Sequence, residues 1–166
     1  MLNRPLKTCL AIGAISILAA GAAARGLPQG GGAKYQVVKV CSLLSLAEVK
    51  KLAPWESHLD PYAKAEEEAI GTTGSSCSYP TVFIQVMAFQ QSFIDNLKKT
   101  GIALEPVSGV GEMAYVRNNR DRFAELVAKV GPHAMTVQRS IKTGQIFEST
   151  KPSLIVIGKA YADKLR

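Results

Sequence analysis

Residues 79–89 read YPTVFIQVMAF. In an extended chain Val82, Ile84, Val86 and Ala88 share one face, and Phe83, Met87 and Phe89 share the other. Both faces are largely apolar, so this strand belongs inside a sheet with material packed on each side. Downstream, Ser92-Phe93-Ile94-Asp95 has the form of a helix cap. It predicts a short helix to about Lys99, with Gly101 in the C′ position. Three short strands are then expected over 111–117, 123–130 and 134–139. Turns at Asn118-Asn119-Arg120-Asp121 and Gly131-Pro132-His133 separate them, and the spacing is that of an antiparallel meander. In the second of these strands Ala124, Leu126, Ala128 and Val130 form an apolar face. Phe123, Glu125, Val127 and Lys129 form a half-wet one, as on a sheet covered on one side. A final helix over about 152–165 follows from Leu154, Ile157, Tyr161 and Leu165 at helical spacing. Ser149 or Thr150 is its cap, and Pro152 sits in its first turn.

Upstream of the strand the best-marked boundary is Ser45-Leu46-Ala47-Glu48, a capping box in which side chain and backbone bond reciprocally. Leu44 and Val49 stand at the hydrophobic-staple positions around it. The helix it opens runs over about 46–53 and stops at Pro54. Residues 54–76 show no periodicity. They hold Pro54, Pro61, the acidic run Glu66-Glu67-Glu68 and the stretch GTTGSS, and they read as a long surface loop. The fold class that results is α+β, an antiparallel sheet of about 4–6 strands with helices packed on it.

The chain begins with an address. Arg4 and Lys7 precede an uncharged apolar run over 8–24 that ends in Gly21-Ala22-Ala23-Ala24. This is the layout of a secretory signal peptide cleaved after Ala24. Cys9 lies at the start of the apolar run, where it does not serve lipidation. Residues 25–36, with four glycines and a proline, read as a flexible linker, and 37–166 as a single domain. Loss of residues 1–24 takes away two basic and no acidic groups, and the formal charge of +7 falls to +5. That excess favours weak attraction to anionic surfaces such as lipid headgroups or polyanionic envelope polymers. The basic residues are scattered without a nucleic-acid motif, so no nucleic-acid partner is expected, nor a membrane span after cleavage.

Cys41 and Cys77 remain after processing. An even count in an exported chain, with no C-x-x-C and no His at ligand spacing, predicts a structural Cys41–Cys77 disulfide. On chain-entropy grounds such a bridge contributes about 3–4 kcal/mol.

Three motifs in order carry a resemblance. They are Cys41-Ser42-Leu43-Leu44-Ser45-Leu46-Ala47-Glu48-Val49, then Ser76-Cys77-Ser78-Tyr79, then Gly109-Val110-Gly111-Glu112-Met113-Ala114-Tyr115. Over about 41–165 the chain resembles a group of small exported bacterial proteins and lipoproteins of unknown function. The resemblance implies an α+β domain similar to the PsbP-like sandwich, and it implies no catalytic residues. The absence of a Cys at the end of the apolar run departs from the lipoprotein members.

Chemistry is sparse. His58 lies near Glu56 and Asp60, and a carboxylate beside an imidazole suits base catalysis or metal binding. Such a triplet in a loop is common by chance, and neither G-x-S-x-G nor H-E-x-x-H occurs. Gly109-Val110-Gly111 lacks the helix of a nucleotide loop and reads as a bend entering a strand. His133 reads as an exposed turn residue. Trp55, His58 and Tyr62, on the 54–76 loop, are the candidate partner-binding residues, since loop aromatics serve as anchors. The expectation is an exported non-enzymatic envelope protein, periplasmic or secreted. It would bind an envelope protein or polymer, with no cofactor, no metal and no catalytic residue. The alternatives are a small hydrolase or metal-dependent enzyme using His58, and an inhibitor or immunity-type protein that plugs a partner's cleft with the loop.

Overall fold

The computed structural model describes residues 35–52, 64–120, 122–141 and 146–166. Among these residues, seven strands form one antiparallel sheet. They are β1 (Glu66–Ile70), β2 (Gly74–Ser78), β3 (Val82–Ala88), β4 (Glu105–Pro106), β5 (Met113–Asn119), β6 (Phe123–Val130) and β7 (His133–Ser140), in the spatial order β1-β2-β3-β7-β6-β5-β4. Two meanders, β1-β2-β3 and β4 to β7, meet where β3 pairs with β7. The helix α2 (Gln91–Lys99) links them. A 3-10 turn (Val40–Ser42) and α1 (Leu46–Leu52) precede the sheet, and α3 (Phe147–Leu165) follows it.

β3 lies inside the sheet, as its two apolar faces predict, but the faces are unequally covered. Val82, Ile84 and Val86 are buried, whereas Phe83, Gln85 and Met87 are half-buried. The covered face also carries Met135 and Val137 of β7, Leu126 of β6 and Val116 of β5. It packs against Leu154, Ile157 and Tyr161 of α3 and against Val40, Leu44 and Val49. At Gly158 α3 comes so close that an added Cβ would stand 3.0 Å from both methyls of Leu126. Glycine thus sets the helix-to-sheet distance there. The opposite face is roofed only in part. Ile94 and Leu97 of α2 cover Val127, flanked by Met113 and Tyr115. Val127, expected on a half-wet face, is therefore buried.

Two boundaries differ from expectation. Part of the predicted 54–76 loop is the β1–β2 hairpin, and with β4 it raises the sheet from the expected 4–6 strands to seven. Three glutamates do not signal a strand, but β1 is an edge strand, where exposed charge also discourages pairing with another chain. α3 begins at Phe147, not near Pro152. Phe147 packs against the main core, and the hydroxyls of Ser149 and Thr150 donate back to the Ile146 carbonyl at 2.7 and 3.3 Å. Pro152 thus lies inside the helix. In α2, Ser92 lies within the helix and does not cap it; the N-cap position is Gln90.

The capping box forms as predicted. The Ser45 amide donates to Glu48 Oε2 at 2.7 Å, and the Glu48 amide to Ser45 Oγ at 3.3 Å. The Ser45 amide and hydroxyl, both donating to the carboxylate, hold the Glu48 carboxyl below its usual range. The predicted bend is present as well: Gly109 and Gly111 have φ of 79° and 64°, and an added Cβ on Gly111 would meet the Lys129 carbonyl oxygen at 2.1 Å.

Cys41 and Cys77 are bridged, with α-carbons 5.1 Å apart. Cys77 is fully buried against the main core. The bond ties the 3-10 turn to β2, and Glu67 of β1 reinforces it. That carboxylate accepts the Val40 and Cys41 amides at 2.8 and 2.6 Å and the Ser75 hydroxyl at 2.6 Å.

At the far end of the sheet the Tyr35 hydroxyl lies 2.8 Å from Nδ1 of His133, ring edge to ring face. His133 is only 9% exposed, not the surface turn residue its sequence context suggests. Burial pushes its pKa down.

Two outcomes follow. A Cys41→Ser/Cys77→Ser variant should lose about 3–4 kcal/mol of unfolding free energy in urea. A loss below about 1 kcal/mol would mean that the unbridged chain already holds the turn against β2. For His133, a depressed folded-state pKa means that the unfolded chain binds the proton more readily. Its contribution is intact above the ordinary histidine range and is lost as pH falls through that range to the depressed value. Thermal melts from about pH 7 to 5 should therefore show a fall in stability that His133→Gln lessens. Parallel curves for the two proteins would exclude His133 as the source.

Candidate functional site

The incompletely roofed face carries a polar row across three strands. Register sets Arg117 of β5 opposite Glu125 of β6, and Glu125 opposite Gln138 of β7. Arg117 Nε donates to Glu125 Oε2 in an ion pair, and Gln138 Nε2 donates to Oε1 at 2.7 Å. The Arg117 and Glu125 side chains are 10% and 5% exposed. A charge so sheltered is tolerated only when paired. The pairing also fixes the Arg117 guanidinium, because both oxygens of the carboxylate are engaged. Nη1 of Arg117 is buried without an acceptor. An unpartnered buried donor costs on the order of 1–3 kcal/mol.

The β5–β6 turn adds to this row. Arg120 takes φ of 56° in the left-handed region, a conformation that costs a non-glycine residue roughly 1–2 kcal/mol. The Arg122 amide donates to the Asn119 carbonyl at 3.3 Å, and its own carbonyl accepts the Ile141 amide at 2.9 Å. The turn is thus anchored to the strands on both sides. Arg120 and Arg122 are exposed, and Phe123 is 38% exposed beside them. With Thr100 and Ile102, which follow α2, and with Arg117 and Asn119, they line a hollow of about 710 Å³. Lys98 and Lys99 occupy the last turn of α2, just before Thr100. This end of the molecule therefore presents clustered positive charge on a strand-borne frame, with an aromatic ring among the cations.

A second, smaller cavity of about 210 Å³ lies between α2 and the starts of β2 and β7. Met87, Ala88, Phe93 and Ala134 give it apolar walls, and Gln90, Ser92 and Asn96 a polar rim. Among the described residues no group of three or more His, Cys, Asp or Glu side chains is placed to hold a metal ion. None of their helices is long and apolar enough to cross a membrane.

Of the residues singled out in the sequence, Cys41 and Cys77 are joined as a structural bridge. Trp55, His58 and Tyr62, together with Glu56 and Asp60, lie outside the described residues. The arginine cluster escapes a search for runs of basic residues. Its signal is local and weaker: three arginines within RNNRDRF, residues 117–123, straddling a predicted turn. In comparisons with known protein families, curated proteins and solved structures, nothing matches this chain.

The polar row makes a direct prediction. Glu125→Gln should destabilise the protein by about 3–5 kcal/mol in denaturant unfolding, because it leaves the Arg117 cation buried without a counter-charge. Arg117→Leu/Glu125→Leu should recover most of that loss. A double variant as unstable as the single one would show that the two charges are not coupled.

Proposed function

We propose that this chain is an exported, non-enzymatic binding module of the bacterial envelope, periplasmic or secreted, with the arginine-lined end of the β5–β6 hairpin as its ligand-facing surface. Support for export comes from the basic then apolar N-terminal sequence ending in small residues, and from the disulfide, a bond at home in oxidising compartments.

The observation that carries the binding reading is the set Arg117, Arg120 and Arg122 beside the exposed Phe123. Arginine and aromatic side chains are the residues most often found as binding anchors. Here Arg117 and Phe123 stand on paired strands and Arg120 and Arg122 on the short turn between them, not on a long loop, so little ordering entropy is lost on association. The charge selects an anionic partner, in keeping with the net positive balance of the chain.

Retention on a heparin column tests this reading. The wild-type protein should need more salt for elution than Arg120→Ser/Arg122→Ser. Lys159→Ser/Lys164→Ser, which removes two exposed cations from α3, should elute close to wild type. Equal elution of both double variants would remove the hairpin as the binding surface.

A further inference from the structure

We propose that the hollow at the β5–β6 end seats a phosphoryl group joined to an apolar body; this rests on the binding reading above. The cations lining the hollow are all arginines. A guanidinium offers a planar fork of donors that matches two oxygens of one phosphoryl group, which a point-charged ammonium cannot do. One of the three is already set in place: Arg117 lines the hollow and is held through Nε by Glu125, so its charge is fixed there. Arg120 and Arg122 flank it from the turn, exposed and with no ion pair among the described residues.

The walls give the second half of the inference. Phe123 and Ile102 place apolar surface against the charged rim. A bare inorganic ion would leave that surface wet. A phosphate ester with an aromatic or acyl portion would cover it while its oxygens meet the arginines. The volume, about 710 Å³, exceeds what a lone phosphate fills. The same chemistry has two sources: a soluble phosphate ester, or the headgroup of an anionic lipid whose glycerol and acyl carbons adjoin the phosphate.

The test titrates the full protein with phenyl phosphate, inorganic phosphate and benzoate, following the amide NMR signals of Arg120, Arg122 and Phe123. Phenyl phosphate should bind about tenfold more tightly than either of the others. Phe123→Ser should abolish its advantage over inorganic phosphate. Arg122→Lys keeps the charge but loses the fork, and should weaken phenyl phosphate about tenfold. These variants alter exposed side chains, so they are informative where Arg117 variants risk unfolding. Sedimentation with vesicles of phosphatidylglycerol in phosphatidylcholine, against phosphatidylcholine alone, separates the sources. Selective co-sedimentation that phenyl phosphate competes away assigns the lipid headgroup, and phenyl phosphate binding without vesicle binding assigns a soluble ester. Benzoate binding as tightly as phenyl phosphate, or full affinity in Arg122→Lys, overturns the proposal. If heparin retention depends on Arg120 and Arg122 while phenyl phosphate leaves the signals unmoved, the phosphoryl assignment fails and the binding reading stands. If retention is indifferent to the arginines, the binding reading itself fails.

Discussion

The covalent tie between Cys41 and Cys77 is the constraint on which the arrangement of the covered face depends. It holds a 3-10 turn against β2, at a place where the turn's own amides need acceptors. Glu67 supplies them to Val40 and Cys41 and accepts the Ser75 hydroxyl as well, so bond and carboxylate fix the same few residues. Val40 and Leu44 are then set over the sheet, and α1 starts from Ser45 in a defined direction. From this point a second chain of contacts runs inward. The Tyr79 hydroxyl donates to the Leu44 carbonyl and lies 2.7 Å from the Tyr161 hydroxyl. Burial raises the pKa of both tyrosines, which keeps them neutral and able to share that bond. The segment entering α1, the β2–β3 connection and α3 thus meet at one buried polar point.

The two faces of the sheet answer different demands. One is filled by α3 and the N-terminal turn with branched and aromatic side chains. The other is roofed by α2 over Val127, Met113 and Tyr115, and beside them runs the row Arg117, Glu125 and Gln138. A buried ion pair is poor value as a stabiliser, since an apolar pair of the same volume serves about as well. Its firm consequence here is positional: it leaves one guanidinium immobile at the rim of an arginine-lined hollow. Places where a protein departs from the most stable local choice are where function is most reasonably sought.

Much of the fold was legible because its signals are local. The Ser45–Glu48 box involves residues three apart, and it formed atom for atom. The disulfide follows from a count of two, and β3 from a short run that is largely apolar on both faces. What was not legible depends on partners distant in the chain. β1 and β2 contain glutamates, glycines and serines, which propensity assigns to loops. They are strands because β3 offers an unpaired edge, and because Ser75 fits beneath the N-terminal turn, bonded to Val38 and Val40. The early start of α3 rests on Phe147 reaching the core, a tertiary contact no cap residue announces. The candidate site was hidden for the same reason. Arg117 meets Glu125 only through strand register, and the hollow needs α2 to bring Thr100 and Ile102 alongside. Attention to basic runs passed over it, and attention to loop aromatics led to 54–62, outside the described residues.

Two hairpins of the second meander, β6–β7 and β5–β6, sharpen the case for the arginine end. At one, Gly131 takes φ of 55°, a conformation glycine adopts freely, and its amide is received by both oxygens of Glu112 at 2.9 and 3.0 Å. At the other, Arg120 takes φ of 56°. The backbone demand is nearly identical and the residue chosen is opposite in character. Glycine at 120 would relieve the strain that a β-carbon introduces there. Solubility does not require this cation, since the chain already carries seven more basic than acidic residues. A strained residue whose side chain lines a hollow beside two further arginines is most simply explained by what that side chain meets there. The β6–β7 turn has the residue its backbone prefers, and the β5–β6 turn has a cation that lines a hollow.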